Sequence, residues 1–119
     1  MDNGGFRETV GLEVVDGSGD QVQVVLEADE RHVNPYGTVH GGALATLADV
    51  AMGTAAATGD NRPVTIEMKV TYLEAAQPGR LTATATVRRR GKRIIIVECD
   101  IDDADGSAVA HGIATFTVV

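Results

Sequence analysis

The sequence has few aromatic residues, no tryptophan and only one cysteine. Two phenylalanines and two tyrosines among 119 residues make the aromatic fraction 3%, so a core must be built from Val, Ile, Leu and Ala side chains. A single cysteine, Cys99, cannot form a disulfide within the chain or supply a multi-cysteine zinc site, and we therefore expect a reducing, cytoplasmic location. Because Cys99 lies in the strand-like stretch IIIVECDI, we interpret it as a small buried thiol rather than a nucleophile.

The sequence also lacks the patterns of a secretory leader and of a membrane-spanning segment. The first eleven residues, MDNGGFRETVG, contain no basic region followed by an apolar stretch. The longest apolar run is interrupted by Asp49 and several glycines. Hydrophobic residues nevertheless make up 44% of the chain, which is too high a fraction for a disordered protein. The length predicts one folded domain covering residues 1–119.

Basic residues are scarce and unevenly distributed. The chain carries 10 Lys and Arg against 17 Asp and Glu, a formal net charge of -7, which disfavours binding to nucleic acid or to an anionic membrane. Half of the basic residues lie in the stretch RRRGKR, namely Arg88, Arg89, Arg90, Lys92 and Arg93. This stretch is compatible with a local anion site on an acidic protein, and the alternative is a solvated hairpin turn.

Alternating apolar residues predict an α+β fold with one long helix and about five antiparallel strands. The first strand is QVQVVLE, with GLEVV as a possible lead-in, and four more are expected at residues 65–73, 81–89, 93–102 and 107–118. The connections AQPG, RRGK and DADG are turn sequences that suit antiparallel neighbours. The helix is expected to span residues 41–58 and to pack on one face of the sheet, with Gly59 and Pro63 ending it.

Asp49 is the only ionisable side chain between His40 and Asp60. The helical period puts the sheet-facing stripe at Leu44, Leu47, Ala48, Ala51 and Ala55. It puts Asp49 on another sector, where all neighbours are small: Gly42, Ala45, Thr46, Gly53 and Ala56. Glycine inside a helix costs about 1 kcal/mol relative to alanine, so the small residues suggest that another backbone or a ligand approaches closely. We interpret Asp49 as a functional carboxylate; the alternative is a carboxylate in a wet groove or in a structural hydrogen bond.

The segment His40-Gly41-Gly42 stands where the helix begins. The first N–H groups of a helix have no partners within it and favour oxygen anions, and glycine lets a ligand reach them. A plain glycine-rich turn with a structural histidine is the alternative. Gly41 and Asp49 lie about 12 Å apart along the helix axis. If both act on one small group, they must come from different subunits, with the helices antiparallel across a two-fold axis.

The pattern Asn34-Pro-Tyr-Gly-Thr-Val-His40-Gly41-Gly42, followed by Asp49 within LATLADVAMG, resembles the hotdog-fold thioesterases of the PaaI type, the phenylacetate-pathway group. The resemblance covers nearly the whole chain, including the segment VTIEMKVTYLEAAQPG after the helix. It implies a hotdog fold and hydrolysis of an acyl-CoA thioester without a metal or redox cofactor, by a homodimer or a tetramer of two dimers. Aspartate at position 49, where a related group has glutamate, favours the PaaI-like branch.

The resemblance also implies roles for individual residues. The N–H of Gly41 binds the thioester oxygen, and Asp49 of the partner subunit attacks the carbonyl or activates a water. Asn34 orients that water or the thioester, His40 supports the leaving-group side, and Thr65 helps to place the attacking group. Coenzyme A is bound as part of the substrate, with these candidate contacts: Gly42 at the helix start, and Arg89, Arg90 and Lys92 at the phosphates.

Two other functions are compatible with parts of this pattern. A non-catalytic acyl-CoA-binding or regulatory domain would need a pocket and a basic rim but no carboxylate, so Asp49 counts against it. A hydratase acting on enoyl thioesters would pair its acid with a histidine a few residues later, and none occurs before His111. The scarcity of aromatic residues disfavours an aromatic acyl pocket. The candidate lining residues of the acyl pocket are Met52, Met68 and Tyr72.

Overall fold

The computed structural model describes residues 5–119 and contains two helices and six strands, with a 3-10 turn at Glu30–His32. In chain order the elements are α1 (Phe6–Val10), β1 (Leu12–Ser18), β2 (Gln21–Ala28), α2 (Gly41–Ala56), β3 (Pro63–Tyr72), β4 (Gly79–Arg90), β5 (Ile94–Asp102) and β6 (Ala108–Val118). The strands form one antiparallel sheet in the order β1-β2-β4-β5-β6-β3. The helix α2 contacts every strand of this sheet. The predicted α+β hotdog architecture is thus confirmed.

The core is the aliphatic layer between α2 and the inner face of the sheet. Burial alternates along β4 and β5, as expected for strands with one face on a core. The predicted helical stripe is confirmed, since Leu44, Leu47, Ala48, Ala51 and Ala55 are all buried. Ala56 was expected beside Asp49 but is fully buried.

Cys99 lies in this core. Its side chain is 1% exposed on β5, and burial, followed by the nearby charge of Asp100, raises the pKa of the thiol to about 12. The prediction of a buried thiol is confirmed. Such a thiol carries almost no thiolate at neutral pH and therefore reacts slowly.

The end of α2 and the N-terminal segment differ from the sequence predictions. The helix ends at Ala56, two residues early, and the Arg90 guanidinium donates to the carbonyl oxygens of Ala55 and Ala56 at 3.0 and 2.9 Å. A cation there complements the helix dipole and binds carbonyls that lack helical partners. Gly59 therefore lies in the following loop. Helix α1 was not among the predicted elements, and GLEVV belongs largely to a separate strand, β1, paired with β2.

No helix among residues 5–119 combines the length and the apolar character that crossing a membrane requires.

Candidate active site

Asp49 lies half-buried on the side of α2 that faces away from the sheet core. The hydroxyl of Thr65 donates a hydrogen bond to Asp49 Oδ1 at 2.8 Å. Thr65 stands at a bulge in β3, where the pairing with β6 shifts between Thr65 and Glu67, and bulges commonly redirect a side chain. The structure therefore brings these two predicted site residues together, although they come from different elements.

Two cavities border Asp49, and Val50 lines both. The larger has a volume of about 420 Å³ and is also lined by Arg7, Gly53, Thr54, Ala57, Pro63, Thr65 and Phe116. The smaller, of about 210 Å³, is completed by Phe6, Ala45, Thr46 and Met68. Asp49 thus borders free space in two cavities, and a carboxylate that reacts with a bound group requires such space.

Of the three candidate acyl-pocket residues, only Met68 lines a cavity beside Asp49. The prediction for Met52 is wrong, because Met52 is fully buried and faces β6. A Cβ atom built on Gly112 of that strand would lie 3.2 Å from the Met52 terminal methyl group. Met52 is therefore a core residue. Tyr72 lies at the other end of α2.

The start of α2 is organised by His40, the N-cap residue. Its Nδ1 accepts a hydrogen bond from the N–H of Gly42 at 2.9 Å, and its carbonyl oxygen accepts from Ala43 and Leu44. Among residues 5–119, no acceptor is found for the N–H of Gly41. The cap therefore uses the neighbouring donors and leaves the Gly41 N–H available to a ligand oxygen.

Tyr72 packs directly on Gly41. The Tyr72 hydroxyl donates to the Gly41 carbonyl oxygen at 2.9 Å, and a Cβ atom built on Gly41 would lie 3.3 Å from the ring. A cavity of about 310 Å³ adjoins this contact, lined by Val39, Gly41, Leu44, Tyr72, Leu73, Glu74, Ala75 and Ala76. Tyr72 was assigned to the acyl pocket, whereas its position is at the proposed oxyanion end of α2.

Asn34 is engaged within its own loop. Its side-chain oxygen accepts from the N–H groups of Tyr36 and Thr38, and its amide donates to the Thr38 hydroxyl at 2.9 Å. Asn34 lines neither cavity beside Asp49 nor the one beside Gly41. Its immediate effect is to hold the loop that leads into α2, and its catalytic role stays a prediction.

The basic stretch 88–93 divides into engaged and available side chains. Arg90 donates to α2 carbonyls and also forms an ion pair with Asp20 at 2.9 Å, so its guanidinium is occupied by protein oxygens. Arg88 pairs with Glu98 at 3.1 Å. Arg89 and Lys92 are exposed and form no ion pair with any residue in the range 5–119. They are the members of the predicted phosphate site that remain available to a ligand.

The two halves of the predicted site, the Gly41 N–H and the Asp49 carboxylate, do not lie together within one chain. None of the cavities described above contains both Gly41 and Asp49, which agrees with their separation along α2. Within residues 5–119, no group of three or more His, Cys, Asp or Glu side chains has the arrangement of a metal site.

The long helix α2 packed on a six-stranded antiparallel sheet is the architecture of the hotdog fold. Residues 36–110 match the model of the family described as the thioesterase superfamily. The chain belongs to this superfamily, and it is a thioesterase.

Individual relatives agree with this assignment. The chain is 33% identical over 102 residues to a 1,4-dihydroxy-2-naphthoyl-CoA hydrolase of Listeria monocytogenes, and the alignment covers 83% of each chain. It is 30% identical over 112 residues to the human acyl-coenzyme A thioesterase 13, which covers 90% of this chain and 80% of the relative. The E. coli PaaI protein superimposes with a TM-score of 0.90 over 94% of this chain and 82% of its own, at 24% identity. The last comparison shows the shared fold alone.

Proposed function

We propose that the protein hydrolyses an acyl-CoA thioester to the free acid and CoA, in a homodimer whose sites are shared between subunits. In each site the Gly41 N–H of one subunit binds the thioester oxygen, and Asp49 of the partner subunit acts on the carbonyl carbon. Two groups on the same helix carry this proposal: a Gly41 N–H without an acceptor among residues 5–119, and a carboxylate about 12 Å further along the axis. Antiparallel packing of two such helices would bring each group opposite its complement.

The edge strand β3 supports a dimer of this geometry. One side of β3 pairs with β6, and the other side has no neighbouring strand among the described residues. Val64, Ile66 and Leu73, on or next to this edge, are about half exposed. An exposed edge with apolar side chains is suited to pairing with a second copy. We infer that two β3 strands meet across the two-fold axis, and that two such dimers can join into a tetramer.

The proposed chemistry follows from the placement of the two groups. Negative charge develops on the thioester oxygen when the carbonyl is attacked, and a fixed N–H donor stabilises it. Asp49 either attacks the carbonyl itself or removes a proton from a water that attacks. In both routes one water is consumed and one acid and one thiol are released, so no metal or redox cofactor is required. Thr65 would hold one Asp49 oxygen in place, with Asn34 and His40 shaping the oxyanion end.

Coenzyme A itself would be held by charge and by the open helix start. Gly42 provides a surface without a side chain beside the thioester, and Arg89 and Lys92 offer free cations for the phosphates. Arg90 is not proposed as a phosphate ligand, because its guanidinium already donates to carbonyl oxygens at the end of α2. A cytoplasmic location is proposed from the single buried thiol and from the intracellular nature of acyl-CoA substrates.

The decisive experiment is a thiol-release assay over short, long and aromatic acyl-CoAs, with wild type, Asp49→Asn and the exposed-loop control Asp60→Asn. Turnover by wild type and by the control, with a loss of about 10³-fold or more in Asp49→Asn, supports the proposal. Equal rates in wild type and Asp49→Asn would refute the role of Asp49. Tight binding without turnover across the whole panel would favour the alternative, a non-catalytic acyl-CoA-binding domain.

A further inference from the structure

Helix α1 brings an aromatic side chain to the face of α2 that carries Asp49. Phe6 lines the 210 Å³ cavity that contains Asp49. It also lines a separate cavity of about 410 Å³ that contains His40 and Gly42 at the helix start. Thr46, one turn before Asp49, borders both cavities. The Phe6 ring therefore stands between the beginning of α2 and its carboxylate.

The short helix α1 is anchored at its C-terminal end. The Val10 carbonyl oxygen lies 2.7 Å from Nε2 of His32, a side chain only 6% exposed. Because Nδ1 of the same ring accepts from the Asp29 N–H, Nε2 is the nitrogen that donates to Val10. Gly11 follows in the left-handed conformation, with φ 92°, and closes the helix through its N–H to Arg7. Phe6 is thus presented by a segment tied to buried structure.

The Phe6 side chain is largely exposed. Phe6 is 67% exposed, although it is one of only four aromatic residues in the sequence. The remaining walls of the smaller cavity are apolar at Ala45, Val50 and Met68, and polar only at Thr46 and Asp49. An apolar pocket with its polar groups at one end suits a hydrocarbon chain whose reactive carbonyl lies beside the carboxylate.

We propose that Phe6 is a specificity-determining residue, whose ring forms one wall of the acyl pocket and favours hydrophobic acyl groups larger than acetyl. This inference rests on the proposed function, since it assigns the acyl side of the same site. A larger acyl chain would cover the exposed ring and remove apolar surface from water, whereas an acetyl group is too short to gain from it.

The experiment compares kcat/KM for hexanoyl-CoA and acetyl-CoA in wild type, Phe6→Ala, Phe6→Leu and Glu8→Ala. Glu8 is an exposed residue of α1 that lines none of the described cavities around α2, so its substitution controls for changes in the helix. Phe6→Ala should lower the hexanoyl-to-acetyl ratio about tenfold. Phe6→Leu should keep most of the preference, and Glu8→Ala should keep all of it.

The proposal would be overturned if Phe6→Ala lowered kcat/KM equally for both substrates or for neither. Dissociation of the Phe6→Ala dimer with an unchanged hexanoyl-to-acetyl ratio would also overturn it. The affinities of acetyl-CoA and hexanoyl-CoA for Asp49→Asn, with and without Phe6→Ala, form a second arm that requires no turnover. Absence of hydrolysis by wild type would refute the proposed function. The affinity ratio would then still decide whether Phe6 contacts the acyl chain.

Discussion

The Thr65 hydroxyl donates a 2.8 Å hydrogen bond to Oδ1 of Asp49 and joins β3 to the outward side of α2. Within residues 5–119, the other carboxylate oxygen of Asp49 accepts no hydrogen bond. One oxygen is therefore held while the second faces free space. This arrangement orients a reactive carboxylate without covering it.

Thr65→Val should lower kcat about tenfold or more, because a hydrogen bond to a charged group contributes about 1.5–3 kcal/mol. Thr65→Ser retains a hydroxyl and should remain near the wild-type rate. Thr71→Val on the same strand is the matched control. Steady-state kinetics on one acyl-CoA decide the matter: a Thr65→Val enzyme with unchanged kcat would show that the contact does not position Asp49.

Gly41→Pro should remove the proposed oxyanion donor with little effect on the helix. Proline is tolerated at the first helical position, and His40 already has the extended conformation, with ψ 136°, that a residue before proline prefers. We expect kcat to fall about 10²–10³-fold, as for the loss of one oxyanion donor.

Gly41→Ala is the control for crowding, since it keeps the N–H and adds only the Cβ atom beside Tyr72. It should remain much more active than Gly41→Pro, with both variants checked for helical circular dichroism. Equal loss in the two variants would assign the effect to the Tyr72 contact instead of the donor.

Mixed dimers test whether the sites are shared. Asp49→Ala and Gly41→Pro subunits should each be inactive alone, whereas a mixed dimer has one intact site. Random 1:1 mixing should restore about a quarter of the wild-type activity, because half of the dimers are mixed and each has one of two sites. Subunits carrying Asp49→Ala and Asp49→Asn form the control pair, which should not recover. If tagged mixed dimers are isolated and remain inactive, Gly41 and Asp49 do not cooperate across the interface.

The double variant Arg89→Ala/Lys92→Ala should raise KM for acyl-CoA several-fold with little change in kcat. The reason is that the phosphates would be bound equally well in the substrate complex and in the transition state. The effect should shrink at high salt. Arg80→Ala, at the opposite end of β4 and paired with Glu27, is the matched control. An acyl N-acetylcysteamine thioester, which carries no phosphate, should be hydrolysed equally by the double variant and wild type. A raised KM for that substrate too would argue against phosphate contact.

Asp102→Asn should stabilise the protein slightly at neutral pH. Burial raises the pKa of this carboxyl, and the charges of Asp100 and Asp103 add to the effect. Because the pKa of Asp102 is higher in the folded state, the charged carboxylate lowers the free energy of unfolding above that pKa. This destabilisation disappears as the pH falls through the folded-state pKa and the carboxyl becomes protonated. We expect a gain below about 0.5 kcal/mol at pH 7, declining toward acid pH in thermal unfolding. Asp105→Asn, in the turn that follows β5, should gain less, and a pH-independent difference would contradict this account.

Local patterns were sufficient to predict β2 to β6 and the buried stripe of α2, since residue alternation depends only on neighbours along the chain. The helical period singled out Asp49, whereas Thr65 became a candidate only through the family resemblance, and no local pattern showed that the two side chains meet. Arg90 shows where such patterns fail. Its neighbours mark it as one of several similar basic residues, and only the folded chain places it at the end of α2.

The amino-acid order alone thus determined five of the six strands, the long helix α2, its lone carboxylate and its glycine start, because propensity and periodicity act locally. The tertiary structure decided which donors remain unengaged, which cations are free, that Met52 lies in the core, and that Phe6 on α1 faces the Asp49 cavity. These outcomes depend on packing between residues distant in sequence, and such contacts form only when the sheet closes over the helix.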